Sequence, residues 1–189
     1  YSLIHEPGTP LTLQIERGEL PAAPEELERE MFLLGIDLLE SAGYEHYEVS
    51  SYARPGHRSR HNQRYWAQEE YYGAGPGACS TVGSRRFTNV PDLEAYIKGI
   101  DECGVPPRTE EVLGPEERLR EHVLLRLRTR DGLSLAGFKQ SFGKPFSDYS
   151  GRAEDAMLSL GLLTLEQGCL RLTREGLCVA DKVIASLVA

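Results

Sequence analysis

A segment rich in proline and glycine divides the 189-residue sequence into two unequal parts. It begins at Cys103 and reads Cys-Gly-Val-Pro-Pro-Arg-Thr-Glu-Glu-Val-Leu-Gly-Pro, a composition that ends helices. Charge changes at the same place, because residues 114–189 carry 11 Lys and Arg against 10 Asp and Glu, whereas residues 1–113 carry 10 against 19. We therefore predict two domains, residues 1–113 and residues 114–189, with Pro115 in the first turn of a helix.

The pattern of residues 114–189 is typical of a small winged-helix-like domain. The expected elements are helices over 116–130, 134–142 and 149–160, a hairpin of strands over 162–165 and 169–172, and a last helix capped by Thr173. Winged-helix domains bind DNA or serve as protein-contact modules, so this interaction role is one alternative for the chain. The helix over 149–160 balances Arg152 against Glu154 and Asp155, and we therefore do not expect a nucleic-acid partner.

The pattern of residues 1–113 predicts short strands mixed with helices. Strands are expected over 1–4, over 44–49, and beside the glycines at 73–77 and the Gly83-Ser84 turn, with helices over 24–42 and 92–99. In the helix over 24–42, apolar residues recur at helical spacing as Leu27, Met31, Leu34 and Leu38. Because both parts mix helices and strands, the predicted fold class is α+β.

Composition and cysteine spacing exclude several classes of protein. A net charge of −8 argues against nonspecific binding to nucleic acids or membrane surfaces. No apolar run approaches the roughly 20 residues that span a bilayer, and no signal peptide opens the chain, so we expect a cytoplasmic protein without a membrane span. The cysteines, at 79, 103, 169 and 178, lack the spacing of a zinc ribbon or an iron–sulfur cluster. Since the chain opens on Tyr1 rather than Met, we expect it to be part of a larger protein.

Aromatic, histidine and arginine residues concentrate between positions 44 and 72. This stretch holds six tyrosines and the only tryptophan, three of the five histidines, and Arg54, Arg58, Arg60 and Arg64. Guanidinium groups pair with carboxylates, and aromatic rings cover apolar faces, so the stretch suits a flat conjugated ligand that carries carboxylates or phosphates. Two structural roles compete with this hypothesis. Tyr44, Tyr47 and Tyr52 would line a strand against a core, and the arginines would pair with Glu48, Glu69 and Glu70.

The histidines of this stretch favour a single positioned imidazole over a two-histidine metal site. His57 and His61 are four residues apart, but Pro55-Gly56 and Arg58-Ser59 disfavour a helix that would place both on one metal-facing side. His61 is followed by Asn62, and a neutral imidazole held by its neighbours is an axial ligand for haem iron.

The glycines that follow resemble a dinucleotide-binding fingerprint only superficially. In the run from Gly73 to Ala78, Pro76 removes an amide donor, and no helix is expected after it. Glycines here are expected instead to let the backbone approach a neighbouring strand or a cofactor closely.

Several of these motifs together resemble one protein family in order and spacing. They are Tyr1-Ser-Leu with Glu6-Pro-Gly-Thr, the stretch from Tyr44 to Gly56, His61-Asn-Gln-Arg-Tyr-Trp66, Tyr72-Gly-Ala-Gly, Ala78-Cys-Ser, Arg130-Asp-Gly-Leu, and the ending from Gly161 to Gly176. The sequence resembles the oxygen-independent coproporphyrinogen III oxidase-like radical SAM family over essentially its whole length. The H-N-x-x-Y-W element resembles the HemW (haem chaperone) branch of that family rather than the true oxidases.

The resemblance implies a fold and cofactors. Longer members begin with a partial (β/α) barrel, whose C-x-x-x-C-x-x-C motif holds a 4Fe–4S cluster and S-adenosylmethionine. This sequence lacks that motif, so it is expected to be the C-terminal half, with residues 1–3 as a late barrel strand and residues 114–189 as the helical C-terminal domain.

The resemblance also implies a function, which is binding haem or a porphyrin and delivering it to haem-acceptor proteins. His61 would contact the iron, Asn62, Tyr65 and Trp66 would surround the macrocycle, and Arg58, Arg60 and Arg64 would meet its propionates. Gly73, Gly75 and Gly77 would lie on the cofactor side, although Pro76-Gly77 and Cys79 depart from the family pattern. The alternative within the family is oxidative decarboxylation of coproporphyrinogen III, for which this sequence alone would be inactive without the cluster.

Overall fold

The computed structural model describes residues 3–188 and shows helices mixed with antiparallel strands. The N-terminal part contains α1 (Pro10–Glu16), α2 (Glu25–Ser41), β1 (Glu45–Glu48), β2 (Ser51–Ala53), α3 (Arg60–Trp66), β3 (Cys79–Val82), β4 (Arg85–Asn89), α4 (Leu93–Cys103) and β5 (Arg108–Val112). The C-terminal part contains α5 (Pro115–Leu127), β6 (Leu133–Ser134), α6 (Leu135–Phe142), α7 (Ser147–Ser150), α8 (Arg152–Ser159), β7 (Leu163–Glu166), β8 (Cys169–Leu172), α9 (Arg174–Cys178) and α10 (Ala180–Leu187). The predicted α+β class is confirmed.

Three small antiparallel groups of strands organise this fold. β1 and β2 form a hairpin, and the other strands form two three-stranded sheets in the orders β3–β4–β5 and β6–β8–β7. Capping side chains start several helices, because Asp92, Ser134 and the predicted cap Thr173 each accept a hydrogen bond from the backbone N–H three residues ahead. Pro115 begins α5, as its position predicted. No helix among residues 3–188 has the combination of length and apolar character that crossing a membrane requires.

The main hydrophobic core lies in the C-terminal part. It is built from α5, α6, the β6–β8–β7 sheet and α10, and its most deeply buried side chains include Val123, Leu127, Leu133 and Phe138. Phe32 of α2 and Val49 after β1 pack against this core from the N-terminal part. The two predicted domains therefore share one packed interface along α2 and β1.

Backbone and side-chain contacts fasten this interface. The amide of Val49 donates to the carbonyl of Arg128, and the amide of Arg130 donates to the carbonyl of Tyr47, both at 3.0 Å. Because residues 128–130 bond to β1 in this way, α5 ends at Leu127 rather than at the predicted residue 130. On the other side of α2, Arg29 pairs with Glu175 at 2.6 Å and Asp37 with Arg174 at 2.7 Å, which ties α2 to α9.

The apolar stripe on α2 is more exposed than its helical periodicity predicts. The helix forms as predicted, but Leu27, Met31, Leu34 and Leu38 remain between 46% and 60% exposed. The buried face is the adjacent one, where Ile36 is 2% exposed and Phe32 reaches the C-terminal core. Helical spacing places residues on one face, whereas the elements available beside the helix decide which face is covered.

Two predicted strand assignments also change. Tyr1 and Ser2 lie outside the described residues, and Leu3 and Ile4 have no regular structure and are exposed, since no described strand lies beside them to accept their backbone hydrogen bonds. The predicted linker contains a strand instead, because β5 pairs with β4 from Arg108 to Val112. The domain boundary that we predict after residue 113 thus falls between this strand and α5.

Two predicted helices are each divided in the structure. The helix over 149–160 is interrupted at Gly151, whose φ of 56° and ψ of −131° fit a residue without a Cβ, so α7 and α8 are separate. The last helix is divided into α9 and α10 at Val179, where φ is −129°.

Candidate functional site

Most of the predicted site residues lie on the helix α3. A turn closes before it, where Gly56 takes a φ of +78° and the amide of His57 donates to the carbonyl of Arg54. The hydroxyl of Ser59 then caps α3 by accepting a hydrogen bond from the amide of Asn62 at 3.2 Å. His57 therefore precedes the helix, and it does not share a helical face with His61.

A cavity of about 300 Å³ opens on one face of α3, between this helix, β1 and the end of α5. The wall formed by α3 and the residues on either side of it consists of Arg58, Arg60, Gln63, Arg64, Trp66, Ala67 and Glu69. The opposite wall is formed by Tyr47, Arg126, Thr129 and Asp131. Four guanidinium groups thus face two carboxylates, which gives the cavity an excess of positive charge that suits an anionic ligand.

Arg58 is held in place by two carboxylates. Its Nε donates to Glu45 at 3.2 Å and its Nη1 to Asp131 at 3.1 Å, while its guanidinium carbon lies 5.7 Å from the centre of the Tyr47 ring. Burial alone would lower the pKa of Arg58, but hydrogen bonds and charges, first of Asp131 and then of Glu45, raise it above its ordinary value. This arginine therefore joins β1 to the C-terminal part and has little capacity left for a ligand.

The other arginines that α3 contributes to the cavity have fewer or weaker contacts with carboxylates. Arg64 lies 3.6 Å from Glu69, and both side chains are largely exposed, so this pair is weak in water. This pair agrees with the alternative that nearby acids neutralise the arginines. Arg60 has no carboxylate partner within residues 3–188 and remains available to an anion.

Trp66 contributes an apolar wall with an unsatisfied polar atom. Its indole Nε1 is buried and has no hydrogen-bond acceptor among the described residues. An unpaired buried donor costs about 1–3 kcal/mol, and such groups call for a partner such as water or a ligand.

His61 and Tyr65 lie on a different face of α3 and do not line the cavity. The exposed ring of His61 packs edge-on against Tyr65 with 4.9 Å between ring centres, and Tyr65 packs in the same way against Tyr71 at 4.5 Å. Asn62 is half-buried and also lies outside the cavity lining. The structure therefore divides the seven predicted residues, placing Arg58, Arg60, Arg64 and Trp66 together and the other three apart from them.

The glycines Gly73, Gly75 and Gly77 lie outside the cavity, and Gly73 is packed tightly against neighbouring backbone. A Cβ on Gly73 would lie 2.2 Å from the carbonyl oxygen of Cys79, so only glycine fits beside β3. The amide of Gly75 donates to the hydroxyl of Tyr96 at 3.2 Å, and its carbonyl accepts from Asn89 at 3.0 Å. Gly73 thus approaches a neighbouring strand closely, which is one of the two roles expected from sequence, whereas Gly75 is held by side chains.

The sequence pattern missed the C-terminal wall of the cavity. Asp131 belongs to the Arg130-Asp-Gly-Leu segment that carried part of the family resemblance, which was the available signal for it. Nothing in the sequence distinguishes Arg126 from the other arginines of α5, because only the packing of α5 against α3 brings it to the cavity.

The described residues contain no ligand set for a metal cluster. All four cysteines are free, and within residues 3–188 no group of three or more His, Cys, Asp and Glu side chains is arranged to hold a metal ion. These side chains do not fit a 4Fe–4S cluster, and we assign no cluster to this part of the chain.

Comparison with known proteins places this architecture in a family. Residues 113–179 match the HemN C-terminal domain. Over 188 residues, the chain is 31% identical to the heme chaperone HemW of Bacillus subtilis and 36% identical to the heme chaperone HemW of Mycobacterium tuberculosis, and all of the chain aligns with 50% and 46% of those proteins. The chain belongs to the HemN-like family. The expected resemblance to the HemW branch is confirmed by these relatives.

The fold of this HemN-like chain also has a solved counterpart. It is similar to coproporphyrinogen III oxidase (HemN) from Escherichia coli, a radical SAM enzyme, with a TM-score of 0.70, 20% sequence identity, and coverage of 96% of this chain and 46% of the oxidase. The chain spans about half the length of each of these relatives. Activities of the whole proteins therefore concern this HemN-like chain only as proposals.

Proposed function

We propose that the chain is the haem-binding part of a HemW-like protein, which holds haem or a related porphyrin by its carboxylates and passes it to haem-acceptor proteins in the cytoplasm. The observation that carries this proposal is the cavity between α3 and α5, with its four guanidinium groups and its indole wall. Guanidinium forks match carboxylates in geometry and charge, and an indole covers the flat face of a macrocycle. The relatives named as heme chaperones support the same ligand.

The size of the cavity suggests how such a ligand would be held. At about 300 Å³ it lies at the lower end of the roughly 300–1,000 Å³ that ligand sites occupy, so it accommodates the carboxylate edge of a macrocycle rather than all of it. Arg60 and Arg64 would then bind propionates, with Trp66 beside them. The remainder of the ring would extend beyond α3, where the exposed imidazole of His61 is free to approach the iron.

Haem titration tests the proposal. Ferric haem is added to the 189-residue chain and to the variants His61→Ala, Arg60→Gln and His57→Ala, and binding is followed by the Soret absorption. We expect His61→Ala to lower affinity and shift the Soret band, because it removes an iron ligand. Arg60→Gln should lower affinity without shifting the band, since the carboxylate contact does not touch the iron. His57 precedes α3 and lies outside the cavity, so His57→Ala should behave as the unmodified chain.

Two results would contradict the proposal in different ways. Absence of saturable haem binding by the unmodified chain would remove the haem-binding function. Equal affinity and an identical Soret band for His61→Ala would remove His61 from the site and leave the arginine cavity as the place to examine.

Porphyrinogen oxidation is a second candidate, favoured by the number of guanidinium groups in the cavity. Besides the paired Arg58, the cavity has Arg60, Arg64 and Arg126, and three guanidinium groups would suit the several carboxylates of a coproporphyrin as well as the two of haem. Parallel titrations with coproporphyrin III and with metal-free protoporphyrin IX separate the candidates. Clearly tighter binding of coproporphyrin III would favour the oxidase substrate class, whereas comparable binding, with further gain from iron through His61, would favour haem.

A further inference from the structure

Arg126 is a cavity residue that neither the sequence pattern nor the comparisons identify. It lies in the last turn of α5 and reaches the cavity from the C-terminal domain, opposite the arginines of α3. The side chain is half-buried, so its charge is partly removed from water. A partly desolvated guanidinium is stabilised when a carboxylate lies beside it.

Two of the neighbouring arginines have such a partner, whereas Arg126 has none within residues 3–188. Arg120 on α5 pairs with Glu116 at 3.0 Å, and Arg128 just after the helix pairs with Asp181 at 2.7 Å. Arg58 across the cavity occupies both Glu45 and Asp131. Within residues 3–188, Arg126 and Arg60 are the cavity arginines without a carboxylate partner, and they come from different sides of the interface between the two parts.

We propose that Arg126 binds a carboxylate of the porphyrin together with Arg60, so that the C-terminal domain contacts the ligand directly. This inference rests on the proposed porphyrin-binding function and names the residue through which α5 takes part in it. Arg58 then has a positioning role instead of a ligand-binding one, because its ion pairs join β1 to Asp131 and hold the cavity wall.

A purely structural role for Arg126 makes a different prediction. A cation in the last turn of a helix interacts favourably with the helix dipole, and lysine serves this purpose as well as arginine does. Bidentate carboxylate binding, by contrast, needs the planar fork that lysine lacks. Arg126→Lys therefore separates the two roles, and Arg126→Gln removes both.

The experiment measures binding of metal-free protoporphyrin IX and of its dimethyl ester, in the same detergent buffer, by porphyrin fluorescence. The ester lacks the carboxylates, and neither probe carries iron, so His61 does not influence the comparison through metal ligation. The proteins are the unmodified 189-residue chain, Arg126→Gln, Arg126→Lys and the matched control Arg120→Gln, which alters an exposed arginine of the same helix outside the cavity. Thermal unfolding of each protein checks that the fold is retained.

We expect Arg126→Gln to weaken binding of the free acid about tenfold, equivalent to about 1.4 kcal/mol, and to leave binding of the ester unchanged. Arg126→Lys should also weaken binding of the acid, and Arg120→Gln should weaken neither probe. Equal affinity of Arg126→Gln and the unmodified chain for the acid overturns this inference alone. An equal loss for acid and ester, or full affinity in Arg126→Lys, also overturns it. Failure of the unmodified chain to bind either probe overturns the proposed function, and the inference falls with it.

Discussion

The two parts of this chain bury their apolar residues to very different extents. Among the described residues, 14 of the 17 buried hydrophobic side chains lie after residue 113, whereas 14 of the 17 large hydrophobic side chains that remain exposed lie before it. The C-terminal part encloses its own core, while α2 and α4 of the N-terminal part leave apolar side chains in water. Burial of apolar area supplies most of the stability of a domain, so we expect the C-terminal part to be the stable unit.

The comparison also shows what the N-terminal part gains from its neighbour. Its buried hydrophobic side chains are Ile36, Tyr47 and Ala53, and Phe32 and Val49 pack against the C-terminal core. The cavity lies at the same junction, with α3 on one side and Arg126 on the other. The weakly packed N-terminal part is thus stabilised by its contact with the well-packed C-terminal part, and the candidate binding site lies at the same contact.

The largest effect is expected from truncation in the C-terminal core. Phe138 is fully buried and packs against Phe142, Phe146 and Tyr149 at 4.9–6.3 Å between ring centres. Phe138→Ala should lower the free energy of unfolding by about 3–5 kcal/mol, measured by urea denaturation with circular dichroism. Met31→Ala, on the exposed face of α2, should change it by less than about 0.5 kcal/mol. Equal losses in the two variants would show that the parts do not differ as described.

A second pair of variants tests which face of α2 is covered. Ile36→Ala should lower the free energy of unfolding by about 2–4 kcal/mol, because it opens space beneath β1 and α9. Leu34→Ala, on the exposed stripe two residues away, should change it by less than about 0.5 kcal/mol. A large loss in Leu34→Ala, measured in the same denaturation experiment, would mean that the stripe is covered in solution.

The loss of stability in acid is expected to be smaller than the losses caused by the core substitutions, and to arise in both parts of the chain. Burial lowers the pKa of His46 in β1 and of His122 in α5 below 6.5, with Arg130 and Arg126 respectively adding to the effect. The unfolded chain therefore takes up protons on these residues first, so their contribution to stability is present above about pH 6.5 and is lost as the pH falls below it. The measurement is the drop in each protein's urea midpoint between pH 7.5 and about pH 5. This drop should be smaller in His46→Gln and in His122→Gln than in the unmodified chain. The exposed His57→Gln serves as the control and should leave the slope unchanged.

Much of the local structure could be predicted from the sequence. The helices α2, α5 and α6 follow apolar periodicity, and the β7–β8 hairpin follows its turn residues. The start of α5 follows Pro115, and the cap of α9 follows Thr173. These features depend on neighbours a few residues apart, which a sequence displays directly. β5 was missed because charged, exposed residues in a proline-rich segment have no strand pattern, and only pairing with β4 makes them a strand.

The candidate site was predictable in position but not in composition. The concentration of aromatic and cationic residues around α3 identified the segment, and the motif at His61 identified the family that the comparisons then supported. His61, however, lies on a different face of α3 from Arg60 and Arg64, which line the cavity. The sequence by itself determined the local elements, the family and the stretch that carries the chemistry. Only the tertiary structure decided that Arg58 bonds to Glu45 and Asp131, because these residues lie 13 and 73 positions away from it in the sequence. It also decided that Arg126 completes the cavity, since α3 and α5 come from different parts of the chain.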